Sequence, residues 1–201
     1  ISSKYIYVSD GGHYENLGIV ELIRLGCHEI WSFDASNDDR GTWRSLAESL
    51  NLAASELGCT IEGDFSAFES APEAEDPRRR LIRDTHTSVT ITGVIGGAQA
   101  WSCVLHVVKL GMSAQTNPVV TELAARYPKF PYDSTVNQIY SAERFDLYRQ
   151  LGFDSCSRAL DALDAPPTAA QDPVSADSVP EGSVPEDSVT AEEGIDQGAD
   201  I

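Results

Sequence analysis

The chain has 201 residues, enough for one sizeable domain, and carries 32 acidic against 14 basic side chains, a net charge of −18. No Lys or Arg follows Arg158 while eleven acids do, so residues 1–158 hold only about −7 of that charge. The balance argues against nucleic acid as a partner, because a binder needs a basic face to displace counterions from phosphates.

In chain order, Lys4–Val8 alternates with β-branched and aromatic residues and is expected to form a buried strand ending just before Asp10. Gly11 and Gly12 make a turn, and Glu15–Leu25 has helical apolar spacing closed by Gly26 as a C-cap. Glu29–Phe33 is a second strand. Trp43, Leu46, Ala47, Leu50, Ala53, Ala54 and Leu57 then mark one face of a helix from Thr42 to Gly58. Strand–helix–strand–helix at these lengths predicts an α/β fold with a mostly parallel sheet. A short strand near Cys59–Glu62 precedes FESAPEAEDPRRRLIRD, an acidic run set against four arginines, read as a surface excursion. Thr87–Val94 and Ala100–Leu110 form a hairpin at Gly96-Gly97, and helices follow at Pro118–Tyr127 and Ser141–Leu151. The domain is placed at 1–158. An acidic Pro/Ser-rich tail at 159–201, holding DSVPEGSVPEDSV, is expected to be disordered because it cannot bury enough apolar area to offset ordering entropy.

No apolar run is long enough to cross a membrane; Val94–Val108 is broken by Gly96, Gly97, Gln99, Ser102 and His106. Cys27, Cys59, Cys103 and Cys156 show neither a CxxC pair nor zinc spacing, and are expected to be free thiols in a reducing compartment. Because Ile1 is not an initiator Met and the chain opens straight into a strand, it is expected to be a fragment or processed product.

The chemistry concentrates at VSDGGHYENLG, Val8–Gly18. A carboxylate just past a strand's carboxyl end sits where open α/β sheets place their sites. The glycines allow positive φ and close approach of another group. A helix-entry turn in which Asp10 only caps backbone amides explains the tripeptide equally well. Metal is disfavoured because no second carboxylate or His stands at ligand spacing, and a phosphate loop would need more glycines and a basic residue. On acid–base grounds His13, with a free value near ~6.5 against ~3.9 for Asp, is the better base unless burial raises Asp10.

The longer string SDGGHYENLGIVELIRLGCHEIWSFDAS closely resembles the Asp-Gly-Gly segment of patatin-like phospholipases, particularly a bacterial-type branch. YPKFPYDSTVNQIYSAERFDLYRQLG is similar to that branch's carboxyl-terminal signature, so two matches in the right order cover most of residues 4–153. The resemblance implies a three-layer α/β/α sandwich and a Ser–Asp dyad that hydrolyses lipid carboxylic esters without metal or cofactor. It maps the dyad acid onto Asp10, and the motif glycines onto Gly11 and Gly12. It also demotes His13 to a supporting residue, alongside Asn16 as a possible brace of the loop. The family's nucleophile lies on a G-x-S-x-G elbow upstream of the Asp; no such pattern occurs in these 201 residues. The chain alone is therefore expected to be inactive. Lipid ester is the implied substrate, with membrane association through an upstream region and an intracellular or cytoplasm-facing location. The alternatives are a non-catalytic α/β binding or scaffold module and a degenerate family member.

Four further features are weighed. Asp34, close to Asp38 and Asp39, reads either as a carboxylate site or as turn chemistry before the Thr42 helix. Glu15 is expected to cap or brace the first helix. His28, His86 and His106 share no metal-like spacing. Arg78, Arg79, Arg80 and Arg83 read as neutralised by adjacent acids rather than as contacts for anionic lipid.

Overall fold

The computed structural model describes residues 8, 10–38, 42–71, 81–95, 99–134 and 136–164. Chain contacts separate Ile1–Pro166 from Pro167–Ile201, and every described residue belongs to the first unit. The predicted strand Lys4–Val8 (Val8 apart), the arginines 78–80, Asp39 and the tail beyond residue 164 lie outside the described residues.

Helices α1 (Ile19–Arg24), α2 (Arg44–Leu57), α3 (Pro118–Ala124) and α4 (Ala142–Asp164) accompany strands β1 (Glu29–Asp34), β2 (Thr60–Glu62), β3 (His86–Ile95) and β4 (Gln99–Lys109). The fold is mixed α/β, with one sheet in the order β1-β4-β3-β2. Only β1 and β4 run parallel; β3 is antiparallel to both β4 and β2. This corrects the expected mostly parallel sheet. Three residues separate β3 from β4, and so short a connection permits only antiparallel pairing, whereas parallel neighbours need a crossover. The hairpin itself was legible, although its turn at residues 96–98 lies outside the described residues.

The core forms where the apolar stripes of α1 and α2 meet one face of the sheet. Ile19, Val20 and Ile23 of α1 and Leu46, Leu50 and Ala53 of α2 join Ile30, Val89, Ile91, Leu105 and Val107. Each such Leu or Ile contributes about 1.5–3 kcal/mol by burial. At Gly63 the backbone lies so close to β3 that a Cβ would stand 2.3 Å from Val89 Cγ1. A second cluster gathers Met112, Val120, Ala124, Phe130, Leu147 and Leu151 around α3 and α4. The other face of the sheet leaves Phe33, Val94 and Val104 exposed.

Capping explains where the helices stop. Gly26, at φ 77°, ends α1 in a Schellman arrangement: Gly26 N–H donates to Ile23 O at 2.8 Å and Cys27 N–H to Leu22 O at 3.1 Å. α1 is shorter than its apolar pattern because residues 15–18 form an entry turn. α4 runs on to Asp164, well past Leu151, and Ala159 is buried in it. The helix thus continues past residue 158, where the domain was expected to end. The second half of α4 buries Ser155 and Ala159, small residues that give no apolar periodicity to read.

Candidate functional site

The Asp-Gly-Gly segment folds as a single 3-10 turn, Gly11–His13, entered by Asp10 in extended conformation. Asp10 Oδ1 accepts the Gly12 N–H at 2.9 Å, which satisfies one of the amides such a turn leaves open. Asp10, Gly11, Gly12 and His13 are all exposed.

Neither glycine uses positive φ, contrary to expectation; Gly18, Gly26 and Gly58 do. The second reason for glycine holds at one position. A Cβ on Gly12 would stand 3.1 Å from Asn16 Oδ1 and 3.5 Å from Asp10 Oδ1, whereas one on Gly11 would meet nothing within 4 Å. Asn16 thus closes over Gly12 on the side that Asp10 occupies.

Glu15 fixes the turn to the domain. Its Oε1 accepts the Leu17 N–H at 2.6 Å and a hydrogen bond from the buried Ser49 hydroxyl of α2. Tyr14 OH donates to Glu56 Oε2 at 2.6 Å, and Arg24 Nη2 reaches the same oxygen at 2.8 Å. The turn is therefore tied to α2 at two places. Beside it lies an open cleft of about 650 Å³ lined by Asn16, Leu17, Phe33, Ser36, Asp38 and Arg44, among others.

One wall of the cleft is held by charge. Lys109 ends β4 in register with Asp34 at the end of β1, so the two side chains meet on one sheet face. Lys109 Nζ donates to Asp34 Oδ2 at 2.8 Å and to Asp38 Oδ2 at 3.0 Å, and all three residues are buried. Ser36 N–H and hydroxyl occupy Asp34 Oδ1, at 2.9 Å for the amide. Ser45 donates to Asp38 from its amide at 3.2 Å and from its hydroxyl at 2.8 Å, which makes Asp38 the acceptor at the start of α2. Burial pushes the Asp38 carboxyl up, but the Lys109 ammonium and the two Ser45 donors outweigh it and hold it below 3.8. The turn-chemistry reading of this acidic cluster matches these bonds, and the two carboxylates also form an internal ion pair with Lys109. Lys109 carried no sequence signal beyond a lysine closing an apolar strand.

The carboxyl-terminal motif gathers around Asp133. Arg144 forms an ion pair with Asp133, and Tyr148 OH donates to Asp133 Oδ2 at 2.5 Å and to Pro131 O at 3.1 Å. A hydroxyl has one proton, so these two acceptors share it. The Arg144 guanidinium also lies over the rings of Tyr127 and Tyr140, at 5.1 and 5.4 Å. Burial first, and Asp133 second, push the Tyr148 phenol well above 10.0. This motif closes α3 against α4 and contributes none of the residues lining the cleft beside the Asp10 turn.

Among the remaining candidates, Arg83 lies 3.5 Å from Glu69, the acid-neutralised arrangement expected for it. All four cysteines are free thiols, with Cys59 and Cys103 buried. Among the described residues no three His, Cys, Asp or Glu side chains converge on a point that could hold a metal, and no helix is long and apolar enough to cross a membrane. Comparison of the chain with protein-family models, with curated proteins and with solved structures found no match.

Proposed function

We propose that the chain is the carboxyl-terminal part of a patatin-like serine acyl hydrolase and supplies Asp10 as the acid of a Ser–Asp dyad. The observation that carries the reading is the ordered pair of motifs, Asp-Gly-Gly near residue 10 and the aromatic–proline–arginine signature ending near residue 152. The geometry is compatible with it in two respects. Asp10 stands exposed on a turn braced to α2, where a serine from another segment can reach its carboxylate. The adjoining cleft is large enough for part of a lipid ester.

In this mechanism the serine hydroxyl transfers its proton to Asp10 as its oxygen attacks the ester carbonyl. The alcohol leaves, and water then resolves the acyl-enzyme. The approaching partner would have to exclude water from Asp10, since an exposed carboxylate is a poor base toward a hydroxyl. Asn16, over Gly12, would limit the turn's freedom during that step. The substrate is a carboxylic ester of a lipid, and the α/β/α layering of the family would be completed by segments other than those described here.

A second reading rests on the hydrogen bond at Gly12. Asp10 accepting that amide is what a purely structural turn requires, and it suits a non-catalytic module or a degenerate copy. Expression of the chain together with the coding sequence that precedes it separates the readings. An upstream elbow serine and ester hydrolysis lost in Asp10→Asn support the dyad. Hydrolysis that survives Asp10→Asn overturns it. The 201-residue chain alone should show no turnover, because losing the nucleophile of a serine hydrolase costs on the order of 10⁶ in kcat.

A further inference from the structure

The face of the sheet opposite α1 and α2 carries a chain of polar contacts remote from Asp10. Ser88 on β3 and Trp31 on β1 are both cross-strand partners of His106 on β4, which places the three side chains in a row across three strands. Ser88 is exposed, and its Oγ lies 2.7 Å from His106 Nδ1 and 3.2 Å from His86 Nε2. His106 is buried, with the Trp31 ring 4.6 Å away centroid to centroid. Its other nitrogen faces Glu29 Oε1 at 3.6 Å, and Trp31 Nε1 donates to that same oxygen at 3.1 Å.

The proton positions follow from counting. Ser88 has one hydroxyl proton and two imidazole neighbours, so one imidazole accepts and the other donates. The shorter contact makes His106 Nδ1 the acceptor. His106 then carries its own proton on Nε2, toward Glu29, and His86 donates from Nε2 to Ser88 Oγ. Burial lowers the pKa of His106 against the opposing pull of Glu29, which favours the neutral imidazole this assignment needs.

We propose that Ser88 is a nucleophilic hydroxyl, with His106 as its general base and Glu29 positioning the imidazole, a site that reacts with electrophilic acyl and phosphonyl donors. It is independent of the Asp10 reading. With an alkyl fluorophosphonate, the Ser88 oxygen forms the new O–P bond and the P–F bond breaks to release fluoride. The hydroxyl proton passes to His106 Nδ1, giving an imidazolium whose Nε2–H faces Glu29. It is then lost to solvent. The exposed side chains of Phe33 and Val104 on the same face offer apolar contact to a donor's alkyl chain.

The test treats the 201-residue chain with an alkyl fluorophosphonate and locates the adduct by peptide mass mapping over time. Ser88 should be labelled on the order of 10²-fold faster than the exposed serines Ser70 and Ser141, the gain typical of a positioned general base. His106→Gln should remove that advantage, and Glu29→Gln should reduce it several-fold. Equal labelling of Ser88, Ser70 and Ser141 in the unaltered chain overturns the proposal without recourse to any variant. So does unchanged Ser88 labelling in His106→Gln.

Discussion

Replacing Lys109 by Met removes an ammonium that lies within hydrogen-bonding distance of two buried carboxylates. The methionine keeps most of the stem volume, so the change is electrostatic rather than a cavity. Removing one partner of a buried ion pair typically costs about 3–5 kcal/mol. Two features set the position within that range. Each carboxylate keeps donors of its own, Ser36 on Asp34 and Ser45 on Asp38, which limits the loss. Against this, the Asp34 side chain is fully buried, and the two anions would face each other without the Lys109 ammonium between them. The expected loss at pH 7 is about 4 kcal/mol, or a fall in Tm of roughly 8–16 °C for a domain of this size. The effect has a pH signature. Asp38 in the native protein titrates below 3.8, so its contribution is present above that value and fades as pH falls through the depressed one. Without Lys109, burial acts on the Asp38 carboxyl unopposed by the ammonium and moves it upward, so the variant loses less on acidification and the deficit shrinks. Urea unfolding followed by tryptophan fluorescence at pH 7 and near pH 4 measures both. A deficit below about 1 kcal/mol at pH 7, the size of an exposed pair, would refute the reasoning, as would one that does not change with pH.

Three further outcomes are expected. In a protein extended to include an elbow serine, Asp10→Asn should lower ester hydrolysis by about 10⁴-fold, the scale set by a triad aspartate, while His13→Ala changes it by no more than a few-fold. Steady-state hydrolysis of a chromogenic ester measures both. Burial pushes the Cys103 thiol up to about 11, so at pH 8 a disulfide reagent should modify the half-buried Cys27 and Cys156 well before Cys103; mass mapping of the labelled chain reads the order. Gly63→Ala should destabilise by about 1–3 kcal/mol, because its Cβ meets Val89 Cγ1 on a β-branched side chain that cannot swing aside. Thermal melts would show this as a lower Tm, and adding Val89→Ala should recover only a minor part, because the Cβ at residue 89 stands 2.6 Å from the new one.

What could be read from the chain was local. The stripe from Trp43 to Leu57 gives α2 because one apolar face at 3.6-residue spacing has few other uses. Gly26 and Gly58 end their helices at positive φ, as a C-terminal glycine should. Sheet direction was misjudged because the alternation of strands and helices at the start was taken to set the whole sheet, although the β3–β4 hairpin, which was legible, pairs antiparallel. The cleft wall was out of reach for a different reason. Asp34 and Lys109 are 75 residues apart, and their meeting depends on β1 lying beside β4 rather than on any pattern within a window. Glu15 shows the middle case: its role at the first helix was legible, while its bond to Ser49 required the packing of α1 on α2.

The turn that begins at Asp10 has little structural capital of its own. It leads into a helix of six residues, too short to persist in water without a partner. Among the described residues, the side chains that tie it to the domain reach it from α2, through Ser49 to Glu15 and through Glu56 to Tyr14 and Arg24. The lifetime of the turn is therefore set by how long α2 stays docked, and the two should open as one cooperative unit. Amides from Gly12 to Val20 should exchange their hydrogens in step with those at the start of α2. A substitution at Ser49 or Glu56, far along the chain from Asp10, should loosen the aspartate before it disturbs the sheet.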